Sequence, residues 1–130
     1  MPTARGTFEV VMGGDPPFLE QDGLTLNRSF VHKEFAGDMA GTSEAQMLAA
    51  FTATPGSAGY VAIEHFTGSV AGKQGSFVMQ HSGVMSQGDA QLSVTIVPDS
   101  GAGELAGISG TMEIDNDEGG HSYVLHYEIA

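Results

Sequence analysis

The stretch of the chain that decides the fold, residues 59–83, reads GYVAIEHFTGSVAGKQGSFVMQHSG. Two runs of alternating apolar and polar residues flank a turn at Gly72-Lys73, which is typical of a β-hairpin. With the turn centred there, Glu64 lies opposite His81 on a face that is otherwise apolar. A carboxylate and an imidazole that meet in a core either satisfy each other or take part in function. This hairpin therefore predicts both a sheet and the position of a site.

The rest of the chain shows the same alternation, divided by clusters of Gly, Pro, Asp and Ser. Residues 43–51 could instead form a short helix, but they lack helix caps and their pairing pattern favours a strand. We predict eight strands, at roughly residues 3–12, 24–35, 39–53, 60–70, 74–82, 90–97, 107–115 and 121–129.

When these strands are paired in order through four hairpins, the same alternate set of residues in each strand faces one side of the sheet. The large apolar side chains lie on that side. A slip of one residue would turn a strand inside out, so this agreement favours a continuous antiparallel meander. In this register Phe30 lies opposite Ala45. Glu64 lies opposite Ala49 on the preceding strand, and His81 lies opposite Ala90 on the following strand. The hairpins are centred at 37–38, 54–59, 72–73 and 84–87.

A flat sheet of eight such strands would leave two long edges, which closure into a barrel removes. We therefore predict an all-β fold, a single eight-stranded antiparallel β-barrel domain formed by residues 1–130. The interior of such a barrel is filled by side chains or holds one small ligand.

The composition limits the classes of function. Four basic and sixteen acidic side chains give the 130 residues a formal net charge of −12. Since nucleic acids and anionic membrane surfaces are bound through Lys and Arg, we expect no nucleic-acid and no membrane partner. The absence of cysteine excludes thiol catalysis, thiolate metal sites and disulfide frameworks. Because we find neither a signal peptide nor a membrane-length apolar run, we expect a cytoplasmic protein.

Candidate site residues lie on the face that this pairing turns inward. Glu64 and His81 are the candidate catalytic pair, because together they could exchange a proton with a ligand; the alternative is a purely structural buried pair. Arg28 and His32 share that face, where Arg28 could balance the charge of Glu64, bind a ligand carboxylate or extend to the barrel mouth. Lys33 is predicted on the outer face. The candidate ligand-binding residues are Arg28, Phe30, Met47, Tyr60, Phe66, Phe77, Met79 and Leu92.

We expect no metal and no cofactor. His32, Glu64 and His81 could converge as metal ligands, but their spacing matches no recognised motif. The glycines of residues 101–103 lack the lysine and the following helix of a phosphate-binding loop. The serine next to His81, Ser82, points to the opposite face, so no Ser-His-Asp arrangement is convincing.

Three segments carry a resemblance to a known family: FAGDMAG at 35–41, GSFVMQHSG at 75–83 and SGAGELAGISG at 100–110. Over nearly its whole length the chain resembles a family of small, functionally uncharacterised bacterial proteins with an allene oxide cyclase-like β-barrel. The third segment is also similar to plant dirigent proteins, which share that barrel, and its glycines would allow tight backbone approach. The resemblance implies an eight-stranded barrel that can be oligomeric, and it implies no activity.

Three functions stay open. The first is binding of a small, mainly apolar ligand inside the barrel, with Glu64 and His81 as polar anchors. The second is an enzyme of the cyclase or isomerase type, in which Glu64 or His81 moves a proton. The third is a solid barrel that acts through self-association as a homo-oligomer. That third reading rests on the outward apolar residues Leu48, Val61, Ile63 and Val78.

Overall fold

The computed structural model describes residues 2–117 and 120–130. These residues contain ten β-strands and no helix: β1 (Thr3–Gly14), β2 (Leu19–Gln21), β3 (Leu24–Gly37), β4 (Met39–Phe51), β5 (Ala58–Val70), β6 (Lys73–Ser86), β7 (Asp89–Ile96), β8 (Ala102–Gly103), β9 (Ile108–Asp117) and β10 (Gly120–Ile129). The strand interpretation of residues 43–51 is thus confirmed, since they lie in β4. Within the described residues there is also no helix that could cross a membrane.

Eight long strands close into an antiparallel barrel, as the sequence predicts. Around the ring the order is β1, β3, β4, β5, β6, β7, β9 and β10, and pairing of β10 with β1 completes it. The two short strands lie outside this ring, where β2 pairs with β3 and β8 pairs with β6. The eight predicted strands correspond to the eight strands of the ring.

Each strand follows the period of two that the sequence predicts. In β5, Ala62, Glu64 and Phe66 are buried, whereas the residues between them are exposed. Alternating side chains point to opposite faces of a strand, so a single register fixes which set enters the barrel. The parity predicted for β4, β5, β6 and β7 is confirmed, and it turns Glu64 and His81 inward.

The pairs themselves differ from the predicted ones. Glu64 lies opposite Met79 on β6 and opposite Ala45 on β4, rather than opposite His81 and next to Ala49. His81 lies opposite Val94 on β7. All of these shifts are by even numbers of residues, which leave every side chain on its predicted face.

The pairing predicted between β3 and β4 is wrong by one residue, and this error does change faces. Phe30 lies opposite Gln46, and Val31 takes the predicted place opposite Ala45. The hairpin is centred on Asp38 because Gly37, with φ of 101°, extends β3 to the turn. Consequently Arg28, Phe30 and His32 point out of the barrel, and Val31, Lys33 and Phe35 point in.

The end of the barrel that holds the chain termini is closed by a packed core. The ring centroid of Phe35 lies 5.4 Å from that of Phe66 and 5.5 Å from that of Tyr123. Leu105, from the loop between β8 and β9, is fully buried against this core. Side chains therefore fill this half, which we call the closed half.

The opposite end is open. There the inward side chains of Met12, Met85 and Leu92 are 57%, 40% and 43% exposed. We call this end the mouth of the barrel. These inner-face residues at the mouth are partly exposed to solvent, unlike Leu105, which is fully buried at the closed end.

The glycine-rich segment of residues 100–110 has an architectural role. A Cβ atom on Gly110 would lie 1.9 Å from the backbone oxygen of His126, and one on Gly101 would lie 2.1 Å from that of Leu105. Any larger residue would push the neighbouring backbone away. These glycines serve the close backbone approach that the sequence predicts for them.

The ring is weakest between β7 and β9. These strands share one residue pair, Thr95 with Thr111, whereas β9 and β10 share ten pairs. Toward the mouth, residues 89–94 and 112–117 have no ladder pair across this line, and both segments lie in the described part of the chain. We call this line the seam.

Candidate functional site

Four buried polar side chains meet in the middle of the barrel, one from each of four adjacent strands. They are Lys33 on β3, Ser43 on β4, Glu64 on β5 and His81 on β6. Glu64 lies at the centre and is 0% exposed. We call this group the polar cluster. It lies between the closed half and the mouth.

Both carboxylate oxygens of Glu64 accept hydrogen bonds. Lys33 Nζ donates to Oε1 over 3.1 Å, and His81 Nε2 lies 2.7 Å from the same oxygen. Ser43 Oγ donates to Oε2 over 2.5 Å. A buried charge is tolerated when it is paired and hydrogen-bonded in this way.

Small residues on the neighbouring strands make room for the long polar side chains. Ala45 lies directly opposite Glu64, and Ala62 lies directly opposite His81. Lys33 lies opposite Ser43, the smallest member of the polar cluster. This alternation lets three long side chains converge on one point without displacing the strands.

Glu64 is a carboxylate over the whole physiological pH range. Burial alone would raise its pKa, but the hydrogen bond from His81, the charge of Lys33 and the hydrogen bond from Ser43 outweigh that effect. The pKa is lowered from 4.5 to about 2. Since a general base works best with a pKa near the operating pH, Glu64 is a poor proton acceptor at neutral pH.

A cavity of about 260 Å³ extends from the mouth down to the polar cluster. Lys33 and His81 line its floor, whereas Glu64 lies behind them and is not part of the lining. We call this space the inner cavity. Its walls consist of Phe8, Val10, Met12, Val31, Ala45, Met47, Tyr60, Ala62, Leu92, Ile114, Asn116 and His121.

A second space of about 280 Å³ continues the inner cavity to the rim. The two share Met47, Tyr60, Leu92 and Asn116 as lining residues. Leu92 and Asn116 belong to the two strands of the seam, so the cavity also borders the gap between β7 and β9. A small molecule could reach the polar cluster from this side without moving the closed half.

The polar wall groups are held by aromatic contacts and hydrogen bonds. Lys33 Nζ lies 4.8 Å from the ring centroid of Phe8, a distance typical of a cation–π contact. The imidazole of His121 also stacks against Phe8, with 5.1 Å between the ring centroids, and it forms a hydrogen bond with the side chain of Asn116. Burial, and secondarily the charge of Glu64, raise the pKa of Tyr60, so its hydroxyl stays protonated at neutral pH.

Comparison with known proteins assigns the chain to a family. The family model described as "Protein of unknown function (DUF3224)" matches residues 4–127. The chain belongs to this family. A crystal structure of a protein of unknown function from the same family, from Shewanella oneidensis MR-1, is 41% identical and superposes with a TM-score of 0.94. That alignment covers 100% of this chain and 98% of the other. No curated protein matches the chain.

Three of the predicted ligand-binding residues of this DUF3224 protein line the inner cavity: Met47, Tyr60 and Leu92. Three others, Phe66, Phe77 and Met79, face inward as predicted but are fully buried in the closed half, beneath the polar cluster. They form the core on which the cluster rests.

The prediction that Arg28 and Phe30 line the interior is wrong. Both lie on the outer face because the β3–β4 register differs by one residue. There Arg28 forms a salt bridge of 2.6 Å with Asp15 and lies 5.1 Å above the ring of Phe30. His32 is also outside, bonded to Glu44. In residues 2–117 and 120–130, no three His, Cys, Asp or Glu side chains are grouped closely enough to hold a metal ion.

Sequence reasoning missed two members of the DUF3224 polar cluster, Lys33 and Ser43. The signal for Lys33 is its place between Val31 and Phe35, two apolar residues with the same parity. The residues that flank Lys33 directly, His32 and Glu34, are polar, although farther along the strand Leu24, Leu26 and Phe30 share their parity. Over residues 31–35 the pattern therefore indicates that Lys33 points inward, whereas the whole strand does not decide between the two faces.

Proposed function

We propose that this DUF3224 protein binds a small, mainly apolar ligand in the inner cavity. The observation that carries the proposal is an apolar-walled space that is open at the mouth and has a polar floor. Binding sites for small molecules commonly combine apolar walls with a few placed polar groups. An apolar cavity of 150 Å³ holds benzene, so 260 Å³ corresponds to a ligand of roughly ten non-hydrogen atoms.

In this proposal Glu64 anchors the ligand indirectly. It is fully buried and orients Lys33 and His81, which line the cavity floor. His81 is held through Nε2, and Lys33 is held through one of its three N–H groups. Supporting side chains of this kind keep a binding site in one geometry before the ligand arrives.

A cavity-filling substitution tests the proposal. Ala62→Leu adds three carbon atoms to the inner cavity wall, and Ala40→Leu makes the same change at an exposed position of β4. Indole, with nine non-hydrogen atoms, serves as the probe, and its binding is followed by chemical-shift changes of backbone amides. We expect the A62L variant to lose binding at least tenfold and the A40L variant to bind as the unmodified protein does.

Equal indole binding by both variants would overturn the proposal, provided that circular dichroism shows both to be folded. If A62L does not fold, Leu92→Trp replaces it, because Leu92 lies at the more tolerant rim of the cavity. Unchanged indole binding by a folded L92W variant, in which the larger side chain fills the cavity, would count against the proposal equally.

A second candidate is an enzyme of the cyclase or isomerase type. The observation that favours it is the hydrogen bond from His81 to Glu64 at the cavity floor, since a carboxylate that orients an imidazole is a common general-base arrangement. We assign the proton transfer to His81 rather than to Glu64, because Glu64 is behind the floor. The allene oxide cyclase-like label for the barrel is part of this proposal, supported by the closed ring of eight antiparallel strands.

Hydrogen exchange into a small ketone separates binding from catalysis. Cyclohexanone fits the inner cavity, and its acidic α-hydrogens exchange with deuterium from the solvent when a base removes them. Under the enzyme hypothesis the protein accelerates this exchange, and both Glu64→Gln and His81→Gln abolish the acceleration while indole still binds. If the unmodified protein does not accelerate the exchange, the enzyme hypothesis is refuted and only the binding function remains.

The outer face supports a proposal about assembly and location. Leu48, Val61 and Ile63 are each about half exposed on neighbouring strands β4 and β5 and border a groove of about 760 Å³, whereas Val78 is half-buried. We propose that this face mediates formation of a homo-oligomer, and that the protein acts in the cytoplasm, for which the cysteine-free composition is suited. Sedimentation of the Ile63→Asp variant tests the assembly: it should be monomeric at concentrations where the unmodified protein is not.

A further inference from the structure

We infer that the ligand carries a carboxylate group, which binds to Lys33 and His81 at the floor of the inner cavity, and that its binding brings a proton to His81. This inference rests on the proposed binding function. It adds the chemical class of the ligand and the event that accompanies binding.

The first argument is the kind of hydrogen bond that the floor can make. Among hydrogen bonds between the described residues, the side chains of Lys33 and His81 each bond to Glu64 and to no other group. A lysine ammonium has three N–H donors and no acceptor, so Lys33 has donors to spare. A protonated His81 would add a donor at Nδ1. A ligand group that matches this floor is an acceptor, and a carboxylate offers two oxygens to two donors.

The second argument is the charge of the polar cluster. The negative charge of Glu64 balances the positive charge of Lys33, so the cluster is neutral when His81 is neutral. A carboxylate placed on this floor is a third buried charge and needs compensation. Protonation of His81, which is bonded to Glu64 on one side and would face the ligand on the other, supplies it.

Besides Lys33, two other titratable groups line the inner cavity near His81, Tyr60 and His121. Tyr60, which shares β5 with Glu64, stays a neutral hydroxyl because its pKa is raised. His121 on β10 stacks on Phe8 and is bonded to Asn116. The strand on the other side of β6 places Val94 opposite His81. Proton uptake is assigned to His81 because it lies at the cavity floor and is bonded to Glu64.

The third argument excludes a cationic ligand. Among the described residues no carboxylate lines the inner cavity, since Glu64 lies behind Lys33 and His81, and Lys33 itself repels a cation. The formal net charge of −12 acts in the opposite direction, because it repels an anionic ligand from a distance. Salt screens this repulsion. We accordingly expect binding of a carboxylate probe to tighten as ionic strength rises, whereas binding of a neutral probe stays constant.

The test compares two probes of nearly equal shape, trans-cinnamate and cinnamamide, each with eleven non-hydrogen atoms. Isothermal titration calorimetry at pH 8, in two buffers of different ionisation enthalpy, gives the affinity and the number of protons taken up. We expect cinnamate to bind at least tenfold more tightly than cinnamamide. We also expect uptake approaching one proton per bound cinnamate and none for cinnamamide.

Substitutions identify the residue that takes up the proton when cinnamate binds. His81→Gln keeps a polar side chain of similar length but does not titrate, so proton uptake with cinnamate should disappear. The control is His65→Gln, an exposed histidine on the outer face of β5, which should leave both affinity and uptake unchanged. If H81Q does not fold, His121→Gln changes the other histidine in the described lining of the inner cavity. Proton uptake that persists in H121Q supports His81 as the acceptor, and uptake that is lost in H121Q would overturn that assignment.

The outcomes distinguish this inference from the proposed function. Equal binding of the two probes, or cinnamate binding without proton uptake, would overturn the carboxylate inference while ligand binding stands. So would failure of both probes when indole still binds in an A62L-sensitive manner. If indole and both cinnamyl probes all fail to bind, the proposed function itself is refuted.

Discussion

Replacing Glu64 by Gln should change how the stability of the protein depends on pH, by an amount that follows from the structure. The pKa of Glu64 is about 2 in the folded protein, against a usual value of 4.5. A carboxyl whose pKa is lowered by folding stabilises the folded state above its unfolded pKa, and this stabilisation is lost as the pH falls through its folded pKa. With about 1.4 kcal/mol for each pKa unit, the full effect is about 3 kcal/mol at neutral pH.

The measurable part lies between pH 5 and pH 3. Over that interval linkage predicts that Glu64 loses about 2 kcal/mol of its contribution. The assay is urea unfolding at several pH values, and the quantity is the difference in unfolding free energy between the unmodified protein and E64Q. Using the difference cancels the other carboxylates, which titrate in both proteins. We expect this difference to shrink by about 2 kcal/mol from pH 5 to pH 3.

At neutral pH the E64Q variant should also be the less stable protein. Removing Glu64 leaves Lys33 as a buried cation without a partner, and breaking a buried pair in this way typically costs about 3–5 kcal/mol. Glu44→Gln is the matched control, because Glu44 lies on the exposed outer face and bonds to His32. A difference between the unmodified protein and E64Q that stays constant from pH 5 to pH 3 would refute the charged, hydrogen-bonded state of Glu64.

Three further predictions concern the barrel itself. Tyr123→Phe removes a hydroxyl that accepts a bond from the backbone N–H of Met39 over 2.8 Å, so urea unfolding should show a loss of about 1–3 kcal/mol. Gly110→Ala places a Cβ atom 1.9 Å from a backbone oxygen at φ of +145°, and we expect the melting temperature to fall by several degrees, corresponding to more than about 1 kcal/mol. Amides along the seam, in residues 89–94 and 112–117, should exchange with deuterium faster than those paired between β5 and β6; equal protection would mean that the seam is closed in solution.

The fold was predictable because the strand period fixes the face of each side chain more firmly than it fixes the partner. Glu64 and His81 point inward under any pairing shifted by an even number of residues, and the shifts found in β4 to β7 are all even. They are also in contact, although they are not directly opposite each other, because they are diagonal neighbours across β5 and β6 and long side chains reach over that distance. The exact partners depend on turn lengths, which the alternation does not encode.

The site was less predictable because it depends on one turn. Placing the β3–β4 hairpin between Gly37 and Asp38, rather than on Asp38, exchanges the two faces of β3. That exchange puts Arg28 into the predicted interior and Lys33 outside it, so the sequence assigned the wrong cation to Glu64. Both have long aliphatic stems, so the identity of the residue does not decide the question. Val31 and Phe35, the apolar neighbours of Lys33 with the same parity, favour the inward position. Leu24, Leu26 and Phe30 on the other face favour the opposite one, so the strand alone is ambiguous.

The polar cluster is better explained by a function than by stability. A buried ion pair with its hydrogen bonds often contributes no more than well-packed apolar side chains of the same size, and replacement of such groups can even stabilise a protein. Below the cluster, Phe66, Phe77 and Met79 already form a fully buried core. Glu64 adds little to this core that an apolar residue would not. What it does provide is a fixed position for Lys33 and His81, the two groups of the cluster that line the inner cavity. The cluster therefore separates a half of the barrel that supplies stability from a half that is shaped to receive a ligand.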